Sequence, residues 1–296
     1  MVMKQINITL YHYTRTEYLS DILLKGRMKL TEAGQSNDPF EMNPSFEPEP
    51  KATDQEKILM ADIKKAWPLD KADEPSFVVC LSASVSSYLM WGHYANQHKG
   101  VCLAFSVPIR IRDNCLSILL NEQEYPLMPI QYEKERIQAR KYVIKQTEKS
   151  YKYEIGNLLR RMLSYKPEKW AYEKEFRILV PSKDVKYEDD ALYTSLLAKS
   201  LSGVILGVNN ELSIQRVRAM LNTAGYTKTT KVLRAELHAE YHRIDAKTGC
   251  SLEFIDMMDL DYHSFAKLEA AYITKPQMAC RYVTTDNNDE ELYIMC

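Results

Sequence analysis

Glu173, Glu175 and Arg177 occupy alternate positions in Trp170-Ala171-Tyr172-Glu173-Lys174-Glu175-Phe176-Arg177-Ile178-Leu179-Val180, a stretch closed by Pro181. Its second half is rich in β-branched and aromatic residues and ends at a residue that cannot extend a ladder. That predicts a strand from about Tyr172 to Val180. Alternation then puts Glu173, Glu175, Arg177 and Leu179 on one face, and Tyr172, Lys174, Phe176, Ile178 and Val180 on the other. Two carboxylates roughly 7 Å apart on one strand oppose each other's ionisation, so they must be solvated, paired or used in catalysis. A solvated edge strand in which Arg177 neutralises Glu175 accounts for the same residues without chemistry.

The elements around this stretch supply further candidates. Ile6 to Tyr13 reads as a strand with Ile6, Ile8, Leu10 and His12 on one face and Asn7, Thr9, Tyr11 and Tyr13 on the other. It runs through Thr14-Arg15-Thr16 into a helix that Thr16 caps, that buries Leu19, Ile22 and Leu23, and that Gly26 ends. His12, near the strand's carboxyl end, is either a ligand contact or a hydrogen-bonded core histidine. Asn37 lies in the polar turn Gly34-Gln35-Ser36-Asn37-Asp38-Pro39-Phe40-Glu41, where a connecting loop or a ligand wall fits. Phe77 to Leu81 is a buried strand, followed by Ser82-Ala83-Ser84-Val85-Ser86-Ser87 and Tyr88-Leu89-Met90-Trp91-Gly92-His93-Tyr94-Ala95. Those serines and rings could face a ribose and a planar group, or Ser86 or Ser87 could cap a helix whose aromatics enter the core.

Further buried strands run from Val101 to Ser106, stopped by Pro108, and from Leu201 to Gly207. Ile214, Val217, Met220 and Leu221 mark a helix closed by Gly225, and Lys231 to Arg243 returns as strand or helix. Tyr132-Glu133-Lys134-Glu135 repeats the first four residues of the later motif but runs into helix-tolerant residues, so it reads as the exposed start of a helix. Basic and aromatic residues between Gln138 and Lys166 read as a solvated helical face or as a nucleic-acid track. His238 and His242 are four apart without an HExxH pattern or a third ligand, and no metal is expected.

Composition narrows the class. With 296 residues, 45% of them hydrophobic, the chain can bury a large core. A net charge of −1 excludes a global basic field, although not a local groove. Six cysteines without a CxxC pair imply reduced thiols in a cytoplasmic setting. No secretory leader or membrane span is expected. Only nine glycines occur, and neither a GxGxxG nor a GxxxxGK[ST] is present, so a nucleotide would need another kind of cradle.

Three stretches carry a resemblance: Leu10-Tyr11-His12-Tyr13-Thr14 with its helix and Ser36-Asn37-Asp38-Pro39-Phe40-Glu41; Leu81-Ser82 with Leu89-Met90-Trp91-Gly92-His93-Tyr94-Ala95; and Trp170 to Arg177. Together they resemble a bacterial domain-of-unknown-function family that includes abortive-infection-type proteins. More distantly, they resemble DarT-type ADP-ribosyltransferases. The resemblance implies an α+β fold, with a split, mostly antiparallel β-sheet wrapped by helices around a cleft. It would span 1–244, with a variable excursion at 42–75, a charged helical segment at 133–168 and a carboxyl-terminal extension at 245–296. It implies NAD as cofactor, with His12 and Tyr13 on the first strand, Asn37 in the loop, Ser82 and Ser84 edging the cleft, and Tyr88 or Trp91 stacking on nicotinamide. Glu175 would be the catalytic glutamate that stabilises the oxocarbenium ion, and Glu173 would activate the acceptor. The implied partners are a nucleic-acid or protein acceptor and a partner protein or antitoxin. An NAD glycohydrolase and a non-catalytic binding module are the alternatives.

Overall fold

A computed structural model of the chain describes residues 4–32, 37–67, 77–112, 115–147, 150–153, 155–226 and 229–248. The expected extension beyond residue 248, and 68–75 of the expected excursion, lie outside the described residues.

The polypeptide forms an α+β fold with mostly antiparallel strands, as expected. The elements that build it are β1 (Lys4–Thr14), α1 (Leu19–Lys25), α2 (Asp54–Ala66), β2 (Phe77–Ser82) and α3 (Tyr88–Tyr94). There follow β3 (Val101–Arg112), β4 (Cys115–Leu120), β5 (Gln123–Pro129), α4 (Ile155–Leu163) and β6 (Glu175–Val180). The last are β7 (Leu201–Leu206), α5 (Ile214–Thr223), β8 (Lys231–Leu237) and β9 (Ile244–Thr248). A 10-stranded sheet runs in the order β1-β2-β6-β5-β4-β3-β7-β8-β9, with the short Thr31–Glu32 strand against β2. No helix among the described residues is long and apolar enough to cross a membrane.

This sheet turns back on itself. β1 pairs with β3 along its whole length, from Lys4↔Ile111 to Thr14↔Val101, and also meets β2 at Tyr11↔Ser82. The pairings β1–β2–β6–β5–β4–β3–β1 therefore close a circuit of six strands. Side chains extend the narrow β1–β2 seam: His12 Nδ1 donates to the Cys80 carbonyl (3.1 Å) and the Tyr13 hydroxyl to the Ser84 carbonyl (2.7 Å).

Alternation along the strands gives the sheet two apolar faces. Leu10, Leu81, Leu103 and Phe176 join the larger core with Leu19 and Leu23 of α1 and Val217 and Leu221 of α5. Tyr11, Tyr13, Cys102 and Ala104 pack on the other face against Met90 and Trp91 of α3. Each such enclosed aliphatic or aromatic side chain contributes about 1.5–3 kcal/mol relative to exposure, so burial on two faces holds the circuit together.

Local expectations fail at three places. β3 does not stop at Pro108, because that residue lies at the seam where the strand exchanges β7, paired through Phe105, for β4, paired from Ile109. Its missing N–H falls on a stretch with no neighbour on that side. Thr16 does not cap α1: a 3-10 turn, Thr16–Tyr18, precedes the helix, and the Thr16 hydroxyl donates to the Lys99 carbonyl instead. Tyr132 does not begin a helix, because Gln131–Glu133 is a short parallel strand against Tyr165–Pro167. Among the described residues, the charged segment after it forms a 3-10 turn, two paired antiparallel strands and α4, so only part of it is helical.

Gly207 closes β7 against the turn after α3, where a Cβ would lie 2.2 Å from the His98 carbonyl oxygen. Asn96, Gln97 and His98 hold that turn in the left-handed region, with φ of 45°, 55° and 68°. Backbone cannot yield there as a side chain would. Gly207→Ala is therefore expected to destabilise the fold by about 1–3 kcal/mol in urea unfolding, without changing the dependence on denaturant.

Candidate functional site

The central motif does not continue as one strand. Glu168–Glu173 forms a 3-10 turn, Lys174 takes a left-handed conformation (φ 45°, ψ 50°), and β6 starts at Glu175. For a residue with a Cβ this conformation costs about 1–2 kcal/mol. The end of β2 holds it in place: Ala83 N–H donates to the Lys174 carbonyl (2.9 Å), and the buried Ser82 hydroxyl to the Glu173 carbonyl (2.6 Å). The expected reach of the strand back to Tyr172 is thus corrected, because tertiary hydrogen bonds at the β2 terminus outweigh local β propensity.

The bend brings both glutamates onto one cation. Lys166 Nζ lies 2.6 Å from Glu173 Oε2 and 2.7 Å from Glu175 Oε2. On the far side Arg177 Nε donates to Glu175 Oε1 (2.8 Å), Nη2 to Glu41 Oε2 (3.0 Å) and Nη1 to the Leu163 carbonyl at the end of α4 (3.1 Å). Glu41 is aimed inward by a turn in which Phe40 N–H donates to Asp38 Oδ1 (3.0 Å). Glu41, Lys166, Glu173, Glu175 and Arg177 are each less than a tenth exposed. The edge-strand reading, in which water solvates the acids, does not describe this arrangement. Its other element, Arg177 neutralising Glu175, does.

At the opposite end the cluster reaches the surface. The Tyr94 hydroxyl donates to Glu173 Oε1 (2.5 Å) and accepts from Nδ2 of the exposed Asn37 (3.2 Å). Rings border this outlet, with Tyr172 6.0 Å from both His93 and Trp170 between centroids and Lys166 Nζ 5.7 Å from the Trp170 ring. Beneath it, the Tyr132 hydroxyl accepts from Glu175 N–H (2.8 Å).

The two acids respond oppositely. Burial raises the Glu175 pKa, but the Arg177 and then the Lys166 charge overcome it and bring it down to about 2. For Glu173 burial dominates and the pKa is raised, with Lys166 and the Tyr94 hydroxyl opposing. Lys166 is disfavoured by burial, yet Glu175 and Glu173 together raise its pKa and keep it charged. Glu175 is accordingly held as an anion, whereas the shift at Glu173 favours its protonated form.

Of the residues expected from sequence, the structure gathers Asn37, Ser82, Glu173 and Glu175. His12 stands apart: the register Tyr11↔Ser82↔Glu175 puts those three side chains on one face, and alternation sends His12 to the other, with Leu10. Burial lowers the pKa of His12. Tyr13 and Ser84 are joined in the β1–β2 seam, and Ser84 Oγ lies 3.2 Å from Ser86 Oγ. Trp91 is wholly enclosed, its Nε1 donating to the Val85 carbonyl (2.8 Å), while Tyr88 at the start of α3 is exposed. Ser87 caps that helix through Met90 N–H, so the capping reading describes α3. Lys166, Tyr94, Tyr132 and Glu41 complete the site without a signal of their own in the sequence, although Glu41, Tyr94 and Tyr132 lie within its motifs. Nothing in local pattern marks Lys166 or Tyr132 as turning inward.

Residues 90–178 match the model of a protein family of unknown function (DUF2971). That stretch holds Tyr94, Lys166, Glu173, Glu175 and Arg177, with Asn37 and Glu41 ahead of it. No curated protein and no solved structure matches the chain.

The pair makes a contrasting prediction. Glu175→Gln takes one anion from between two buried cations and is expected to cost roughly 3 kcal/mol. Glu173→Gln keeps an acceptor for Lys166 and gains a donor for Tyr94, so it is expected to cost less than about 1 kcal/mol. Because the Glu175 pKa is depressed on folding, its contribution is full above the ordinary 4.5 and is lost as pH falls toward about 2. Melting temperatures across that range should fall steeply in the parent protein and less steeply in Glu175→Gln.

Proposed function

We propose that this protein is an NAD-dependent ADP-ribosyltransferase of the DarT-like kind, with the Glu173–Tyr94–Asn37 outlet as its reactive face. The observation that carries this reading is the placement of two enclosed glutamates on one lysine, with Glu175 also held by Arg177 and Glu173 also held by the Tyr94 hydroxyl. Loss of nicotinamide from NAD develops positive charge on the ribose. The enclosed Glu175 carboxylate, which stays ionised, lowers the energy of that state more than of the ground state through its field rather than by contact. Activation of an acceptor needs the opposite property, a carboxyl able to take up a proton, which Glu173 supplies. The half-buried rings of Tyr172 and Trp170 and the exposed His93 offer planar surfaces beside it. The motif resemblance supports reading such an enzyme as a toxin or anti-phage effector that modifies a nucleic acid or a protein.

A second reading is favoured by the pairing of Glu175 with Arg177 and of Arg177 with Glu41. There the cluster is a structural hub of a non-catalytic module, since buried ion pairs also fix unique packing.

Purified protein incubated with NAD labelled on the adenosine side separates these. A transferase leaves label on a macromolecule, a glycohydrolase releases nicotinamide and free ADP-ribose, and a module does neither. Glu175→Asp, which retains the charge but withdraws it by one methylene, is expected to lower nicotinamide release roughly 10²–10³-fold while the melting transition stays cooperative. Absence of nicotinamide release by the folded parent protein sinks the enzymatic proposal.

A further inference from the structure

We propose that Tyr94 is a catalytic residue of this site, the hydroxyl through which the enclosed Glu173 gives and takes its proton. The identity of the reaction rests on the ADP-ribosyl-transfer reading above; the proton path rests on geometry. Glu173 is only 2% exposed, so its carboxyl does not meet a substrate directly. Oε2 is held by Lys166 (2.6 Å) and Oε1 by the Tyr94 hydroxyl (2.5 Å). Tyr94 is half-buried and reaches the exposed Asn37 (3.2 Å) on its other side. A phenol hydroxyl both donates and accepts, so it can pass a proton on without holding charge. It is not a base by itself, because burial and then the Glu173 charge raise its pKa.

In the transfer step the acceptor's X–H bond breaks as X bonds to the ribose C1′. Its proton passes to Tyr94 Oη while the Tyr94 proton passes to Glu173 Oε1. The bond from C1′ to the nicotinamide nitrogen breaks and its electron pair leaves with nicotinamide, so nothing is oxidised or reduced. Glu173 must be ionised to receive the proton, so the rate rises as pH climbs through its raised pKa. The groups facing it are Lys166, Glu175, Tyr94, Tyr132 and Tyr172, with Arg177 and Glu41 behind Glu175. Of these, Lys166, Glu175 and Arg177 keep their charge throughout, because the shifts of all three favour the charged form.

Tyr94→Phe removes one oxygen and keeps the ring beside His93. In the full chain, an isotope-edited infrared titration assigns the Glu173 band by its disappearance in Glu173→Gln. Tyr94→Phe is expected to move the Glu173 midpoint upward, because a donor to the ionised form is lost, and to slow proton uptake after a pH jump at least about tenfold. With labelled NAD, transfer should fall about 10²–10⁴-fold and lose its rise with pH, at an unchanged melting temperature. An unmoved midpoint with unslowed uptake overturns the relay whatever NAD does, and so does an unchanged transfer rate in Tyr94→Phe. A moved midpoint with slowed uptake, in a parent protein that releases no nicotinamide, supports the relay and rejects the assigned reaction.

Discussion

Lys166 sets the terms for the rest of the site. One ammonium, cut off from water, lies within hydrogen-bond distance of two carboxylates that would otherwise repel each other in a medium of low dielectric. Counting Glu41 and Arg177, the cluster holds three carboxylates against two cations. Of the two acids on Lys166, the one less screened by cations binds its proton more readily. Glu175 touches both cations and Glu173 only Lys166, which is why burial prevails at Glu173 and not at Glu175.

That electrostatic division depends on backbone that is itself held from a distance. The left-handed Lys174 between the two acids is fixed by hydrogen bonds from Ser82 and Ala83 at the end of β2. β2 in turn is set by its ladder with β6 and by its narrow seam with β1, where His12 and Tyr13 extend a single pairing. The six-strand circuit thus does more than enclose an apolar core. It fixes the level at which β2 ends, and with it the angle at which residue 173 leaves the sheet.

Segments far apart along the chain meet here for a physical reason. An isolated charge buried in the sheet would be too costly, so each carboxylate needs a donor from another element. Glu41 comes from the turn before α2, Tyr94 from α3, Lys166 from the short strand after α4, and Arg177 from β6 itself.

The α+β class rested on the motif resemblance, whereas local pattern in the sequence determined strands β1, β2, β3, β6 and β7 and the face on which Glu175 and Arg177 stand. It did so because apolar alternation and capping residues act over a few neighbours. It also singled out Glu173 and Glu175 as the acids that require an explanation. Only the tertiary structure decided that their explanation is Lys166, that His12 lies across the sheet from them, and that Trp91 belongs to the core. It alone decided that Tyr132, in what looked like the start of a helix, lies beneath the site. Those outcomes follow from strand register and from which side chains can share a desolvated charge. Both are long-range properties, and no local spacing of residues encodes them.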